Sequence, residues 1–188
     1  MKLEGARILI TGGSSGLGKE MAKVLKNAGA NIVITGRDAD KVSRVASELN
    51  VFGLAADASL EADVLKTFVF VKDKLGGLDV LINNAGFGTF ALLEDITAAE
   101  LENVFKTNVF GAALMAREAA KIFKAQMSGN IINISSTAAV LGGSTVLGAD
   151  SVVGTQKGTG VQRIMLMAHM DTVFERGIRA SMPIMQEE

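Results

Sequence analysis

Apolar residues along this chain recur in two alternating patterns. Ile8-Leu9-Ile10 is a short, wholly apolar run, which predicts a strand buried on both faces. Met21, Val24, Leu25 and Ala28 then fall at i, i+3, i+4 and i+7, one face of a helix, and Gly29 is placed to end it. Ile32-Val33-Ile34 repeats the buried strand. Val42, Val45, Ala46 and Leu49 repeat the helical stripe, with Asn50 suited to the C-terminal cap. Residues 52–56 read as a third, weaker strand, and Ser59 is positioned to cap a helix carrying Val64, Leu65 and Phe68. Val80-Leu81-Ile82 is the fourth strand. Thr97 and Glu100 form a capping-box pattern that opens a long helical stretch toward Met127, and Ile131-Ile132-Asn133-Ile134 is the fifth strand.

Short apolar strands alternating with amphipathic helices predict a parallel sheet of about five strands, covered on both faces. Right-handed crossovers make that a doubly wound α/β fold. The pattern changes near Val146, where residues 147–163 turn polar and Gly-rich. Val152-Val153 and the run from Ile164 to Met167 are strand-like, but the sixth helix expected after the fifth strand has no periodic counterpart. The expected organisation is one domain over residues 1–145 and an appended β-rich tail over 146–188. That tail would be a strand hairpin followed by a loose end; whether its strands pair with the open edge of the sheet is left open by the sequence.

Composition narrows the classes of function. The chain has 188 residues, 48% hydrophobic and 21% charged, which fits a folded globular domain. A net charge of -1 implies no nucleic-acid or membrane partner. No run of about 18 apolar residues is present, and the N-terminus has no signal-like stretch. The absence of cysteine excludes disulfides, thiolate catalysis and Cys-based metal sites. By elimination, the cytoplasm is the expected location. Twenty-one glycines against one proline suggest many tight strand–helix junctions.

The densest glycine segment is Thr11-Gly12-Gly13-Ser14-Ser15-Gly16-Leu17-Gly18, between the first strand and the first helix. Glycine there lets the backbone turn sharply and approach a ligand, while the helix N-terminus offers unsatisfied N–H groups and a positive dipole end to a pyrophosphate. A purely structural turn would use the same residues, but the first strand–helix junction of a βαβ unit is the context that favours dinucleotide binding. Gly36-Arg37 follows the second strand. An acidic residue at this point would bond the ribose 2′-hydroxyl of NAD, whereas an Arg can pair with a 2′-phosphate. Arg37 therefore favours NADP(H) over NAD(H). In the alternative reading, Arg37 is a solvated surface charge and Asp38 caps the second helix.

Three further motifs accompany the glycine loop. Asn83-Asn84-Ala85-Gly86 closes the fourth strand, Asn108 lies in the following long helix, and Asn133-Ile134-Ser135-Ser136 closes the fifth. Over residues 1–145 this ordered series closely resembles the short-chain dehydrogenase/reductase family. The resemblance implies a Rossmann-type fold and hydride transfer between NAD(P) and an alcohol or carbonyl. Position by position, it implies that Thr11, Gly12, Gly16 and Gly18 shape the pyrophosphate loop, with Ser14, Ser15 and Leu17 contacting cofactor nearby. Asp57, with Ala58, would bind the adenine, and Asn84, Ala85 and Gly86 would line the cofactor near its ribose. Asn108 would hold a water of the proton relay, and Ser136 would hydrogen-bond the substrate oxygen. A homodimer through the long helix is also implied.

The sequence departs from the family at one chemical point. The resemblance calls for a Tyr-x-x-x-Lys motif a short way beyond Ser136, where the lysine and the cofactor lower the phenol's pKa for proton exchange. The chain has no tyrosine, and the corresponding stretch reads Leu147-Gly148-Ala149-Asp150-Ser151-Val152-Val153. The family's later strands and substrate segment are likewise not matched. Cofactor binding is therefore expected with little or no turnover. Residues 146–180 instead resemble the start of the zinc-dependent carboxypeptidase/aminoacylase metallopeptidases, with His169 and Asp171 at the positions of that family's zinc-ligand His and its orienting Asp. Catalytic zinc needs about three protein ligands, and His169 is the only histidine. The favoured reading of His169 is a polar residue ending a strand, without zinc; the alternatives are a metal-binding or hydrolase-like fragment using His169 and Asp171, or a structural chimera without activity. The chain reads as composite, joined near Val146.

Overall fold

Alternate residues of a strand face opposite sides of its sheet, and in this protein both sides are apolar. The computed structural model describes residues 2–89 and 95–135, with the strand segments 153–155 and 165–167. Five parallel strands form the main sheet: β1 (Arg7–Ile10), β2 (Asn31–Gly36), β3 (Phe52–Ala55), β4 (Val80–Asn83) and β5 (Asn130–Asn133), in the order β3-β2-β1-β4-β5. Ile8 is in register with Ile32 on one side and Val80 on the other, and Val80 with Asn130. Leu9, Val33, Leu81 and Ile131 point to one face, against Val64, Phe68 and Val71 of helix α3 (Glu61–Leu75) and Met115, Ala119 and Phe123 of α5 (Ala112–Gln126). Ile8, Ile10, Ile32, Ile34, Val80 and Ile82 point to the other, against Ala22 of α1 (Gly16–Asn27) and Val45 and Ala46 of α2 (Ala39–Leu49). This is the expected doubly wound, Rossmann-like fold. β3 is an edge strand with Phe52 42% exposed, which accounts for its weaker signal in the sequence.

Local chemistry sets most element ends. Asp38 accepts the Lys41 N–H at 2.9 Å as the N-cap of α2, and Asn50 closes that helix in the left-handed conformation at φ 52°. Thr97 and Glu100 complete the capping box of α4 (Ala98–Phe105).

Three expectations are corrected. Ser59 does not cap α3: the turn in which Asp57 accepts the Ser59 N–H on its carboxylate and the Leu60 N–H on its carbonyl places Ser59 one residue early, and Leu60 takes the cap position. β5 starts one residue earlier than the apolar run, where Asn130 donates its N–H to the Asp79 carbonyl. The stretch toward Met127 is not one regular α-helix. A π-helical segment, Lys106–Gly111, separates α4 from α5. It inserts an extra residue in the turn that carries Asn108.

In the tail, β6 (Val153–Thr155) and β7 (Met165–Met167) pair antiparallel, as the strand-like runs predict. They form a two-stranded sheet of their own and do not ladder onto β5. Among the described residues no helix is long and apolar enough to cross a membrane.

The strand ends away from the glycine loop are clamped by charge. Arg7 donates to Asp79 through Nε at 2.9 Å and through its terminal nitrogen at 2.6 Å, and the Arg7 backbone N–H reaches the same carboxylate at 2.9 Å. Gln126 of α5 bonds the Leu78 carbonyl at 2.7 Å, which ties helix to strand beside this pair. The Arg7 hydrogen bonds hold the Asp79 carboxyl below its ordinary range. Asp79→Asn is expected to cost about 1–2 kcal/mol at neutral pH, measured by urea unfolding. A lowered folded-state pKa stabilises fully above the unfolded value near 4, and the contribution is lost as pH falls through the folded one. The gap between wild type and Asp79→Asn should therefore close in acid; a gap of unchanged size there would contradict this assignment.

Candidate functional site

The strand order reverses direction at β1 and β4: the chain winds outward from β1 to β3, then returns to place β4 on β1's other side. In open α/β sheets this switch point, at the carboxyl ends of the strands, is where a crevice forms. A cavity of about 410 Å³ lies there. Its walls come from the loops after β1, β2, β3 and β4, and from Thr107 of the π-helical segment.

The loop after β1 is locked to the end of β4 by reciprocal hydrogen bonds. The buried Thr11 hydroxyl accepts the N–H groups of Asn84 and Ala85, each at 3.0 Å. The Asn84 side chain returns two bonds, to the carbonyls of Thr11 at 3.0 Å and Gly12 at 3.2 Å. This closeness explains the glycine at position 12. Its φ is +65°, and a Cβ there would lie 2.9 Å from the Ala85 Cα. At Gly18 a Cβ would run into the Gly12 carbonyl and the Asn84 side chain.

Helix α1 then starts at Gly16 and points its N-terminus at the cavity. Its cap residue, Ser15, makes no side-chain cap bond, and its first turn holds no acidic residue. Helices α2, α3 and α4 each carry an acidic residue in the first turn. The α1 dipole end is left for an external anion.

Ser14, Ser15 and Leu17 line the cavity, with Gly12. Asn84, Ala85 and Gly86 form its β4 wall, and Asp57 and Ala58 its β3 wall. The Asp57 carboxylate accepts the Ser59 N–H, while the Asp57 N–H donates to Asp63 at 2.8 Å, so this loop is held from both sides. Asn108 braces the β4 loop. Its side-chain oxygen accepts the Phe87 N–H at 3.0 Å and its nitrogen donates to the Phe87 carbonyl at 2.8 Å. One lone pair and one N–H of that amide stay available to other groups. Ser136, His169 and Asp171 lie outside the described residues, as does the join near Val146. Among the described residues no group of three or more His, Cys, Asp or Glu side chains could hold a metal ion.

The cavity rim is charged. Arg37 and Asp38 both line it: Asp38 caps α2, as the alternative reading has it, and Arg37 is exposed at the rim. Lys41 is a lining residue that sequence reasoning missed, although its place in the first turn of α2, just after Arg37, was the available signal. Phe87 was also missed. It directly follows Gly86, and its ring lies 5.7 Å from the Arg37 guanidinium carbon. Among the described residues neither the Arg37 guanidinium nor the Lys41 ammonium has an ion pair or hydrogen-bond acceptor.

The short chain dehydrogenase family profile matches residues 6–148. The chain belongs to the short-chain dehydrogenase family. It is 31% identical over 148 residues to the 3-oxoacyl-(acyl-carrier-protein) reductase FabG of Aquifex aeolicus, covering 76% of this chain and 60% of the relative. It is 35% identical over 144 residues to the uncharacterized oxidoreductase YvrD of Bacillus subtilis, covering 74% of this chain and 54% of the relative. The chain thus spans little more than half the length of these relatives. Among solved structures, the 3-ketoacyl-(acyl-carrier-protein) reductase of Brucella melitensis complexed with NADH is similar at TM-score 0.71 and 38% identity, over 73% of this chain and 60% of that one. An NAD+-bound xylitol dehydrogenase is similar at TM-score 0.73 and 26% identity, over 80% and 60% of the two chains.

The glycine loop of this short-chain dehydrogenase depends on Thr11 more than on any charged group. Thr11→Val keeps the shape and leaves the Asn84 and Ala85 N–H groups without their acceptor. A loss of about 1–3 kcal/mol in urea unfolding is expected, with most of it recovered in Thr11→Ser. Equal stability of Thr11→Val and wild type would refute the bracket.

Proposed function

We propose that this chain is an NAD(P)(H)-binding oxidoreductase module that takes NADP(H) in preference to NAD(H) and turns over little or no substrate. The observation that carries it is the bare N-terminus of α1 at the switch-point cavity, with no acidic side chain in its first turn. Gly12, Ser14, Ser15, Gly16, Leu17 and Gly18 would cradle the pyrophosphate, in a loop whose Gly12 and Gly18 leave no room for a side chain against Ala85, Asn84 and the Gly12 carbonyl. Asp57 and Ala58 would contact the adenine, and Asn84, Ala85 and Gly86 the nearby ribose. Arg37 and Lys41, without acceptors of their own, would meet a 2′-phosphate. The bound dinucleotide would supply the hydride chemistry.

Ser136 would hydrogen-bond the oxygen of a small carbonyl or alcohol substrate, and the spare donor and lone pair of the Asn108 amide would hold a water. Neither supplies the family's phenol, and the sequence contains no tyrosine. Loss of that proton donor is the reason to propose weak or absent turnover. Residues 1–145 are read as the cofactor domain, and residues 146–188 as an appended tail of a composite chain. The proposed setting is the cytoplasm, without nucleic-acid or membrane partners. A second copy of the chain is the proposed partner along α4 and the π-helical segment, where Leu101, Phe105 and Phe110 are exposed.

Titration with NADPH, followed by its fluorescence, is expected to saturate in the micromolar range and to show tighter binding than NADH. Arg37→Ala should weaken NADPH roughly tenfold or more while changing NADH little. Absence of saturable binding by folded protein at high micromolar nucleotide would refute the cofactor reading. NADPH oxidation with a panel of carbonyls should stay at background; turnover abolished by Ser136→Ala would show that the site has another proton donor.

A further inference from the structure

Arg37 and Phe87 come from opposite sides of the site. Arg37 follows β2 and Phe87 follows β4, and β1 lies between those strands. Their contact, with 5.7 Å between the guanidinium carbon and the ring centroid, therefore spans the crevice. Both residues also line a second cavity, of about 320 Å³, bounded further out by Glu100, Asn103 and Lys106. The pair thus stands between the switch-point cavity and this outer one.

The two halves of the pair are held differently. The Phe87 backbone is fixed, because Asn108 bonds both its N–H and its carbonyl. The Arg37 side chain has only the ring as a partner among the described residues. Arg7 provides the contrast. Its fork is matched to the Asp79 carboxylate, so binding another anion would require breaking that pair. An aromatic face attracts a cation through its quadrupole without neutralising it or consuming its N–H donors. Arg37 is therefore positioned while its charge and hydrogen-bonding capacity stay intact.

We propose that Phe87 is a specificity-determining residue: its ring holds the Arg37 guanidinium across the crevice, where it meets a phosphate on the cofactor's adenosine ribose. The proposal rests on the dinucleotide-binding reading above and adds the residue that sets its preference. Phe87 acts through Arg37 and is a positioning residue. It should affect only the phosphorylated dinucleotide, whereas a ring packed on adenine would affect both.

The test compares NADPH and NADH affinities, by fluorescence titration of the full chain, in wild type, Phe87→Leu, Phe87→Tyr, Arg37→Ala and the Phe87→Leu/Arg37→Ala double variant. Phe87→Leu is expected to weaken NADPH about two- to fivefold, the size of a partly exposed cation–π contact, and to leave NADH unchanged. Phe87→Tyr, which keeps the ring, should retain the wild-type ratio. Adding Phe87→Leu to Arg37→Ala should produce no further change. Equal weakening of both nucleotides, an unchanged NADPH/NADH ratio in Phe87→Leu, or an undiminished effect in the Arg37→Ala background would each overturn the proposal. If Phe87→Leu does not fold, Phe87→Met is read in the same way. Wild type binding both nucleotides equally would defeat this inference and leave dinucleotide binding standing, while binding neither would remove both.

Discussion

Everything at the candidate site depends on how closely the loop after β1 is drawn to the end of β4. Four hydrogen bonds do this. Thr11 accepts two N–H groups, and Asn84 returns two N–H donors to the carbonyls of Thr11 and Gly12. No side chain fits between the loop and β4 at Gly12 or between the loop and α1 at Gly18, so the bracket and the glycines require each other. The bracket also fixes where α1 begins. Neutral hydrogen bonds thus hold the loop that leads into its N-terminus, while the Lys19–Glu48 ion pair ties the first turn of α1 to α2.

The fold separates paired charge from charge that lines the cavity. At the amino ends of the strands, Arg7, Asp79 and Gln126 are mutually satisfied and tie β1, β4 and α5 together. At the carboxyl ends, Arg37 and Lys41 line the cavity and have no ion-pair partner among the described residues. A paired cation contributes to stability through its partner, whereas an unpaired one at a crevice contributes to recognition. The same sheet carries both because its two ends are far apart along the strands and share no polar partners.

The fold was legible in the sequence because each of the three central strands is apolar on both faces and amphipathic helices separate the strands. Ile8-Leu9-Ile10, Ile32-Val33-Ile34 and Val80-Leu81-Ile82 could be placed from periodicity alone, and their parallel pairing follows from the helices between them. The errors were local. Ser59 has the chemistry of a cap, but the turn after Asp57 places it one residue before the cap position, which Leu60 takes. The helical stripe toward Met127 gave no sign of the π-helical segment, which reflects tertiary contact: a Cβ at Gly111 would lie 2.8 Å from the Ala58 carbonyl, and Asn108 reaches across to Phe87. The glycine loop, Arg37, Asp57 and Asn84 to Gly86 were legible as candidates because their positions after successive strands place them at one end of the sheet.

The sequence by itself determined the family, the alternation of buried strands and amphipathic helices, and the absence of tyrosine from these 188 residues. These are properties of residue type and spacing, which no packing can change. Only the tertiary structure decided which partners the polar groups take. It spent Asp38 as a helix cap, left Arg37 without an acceptor among the described residues, brought Lys41 and Phe87 to the cavity, and turned the Asn108 amide onto the backbone of Phe87. The physical reason is that a hydrogen bond or cation–π contact depends on distances of a few ångströms between residues remote in sequence. Those distances are set when the β2 and β4 ends meet across β1.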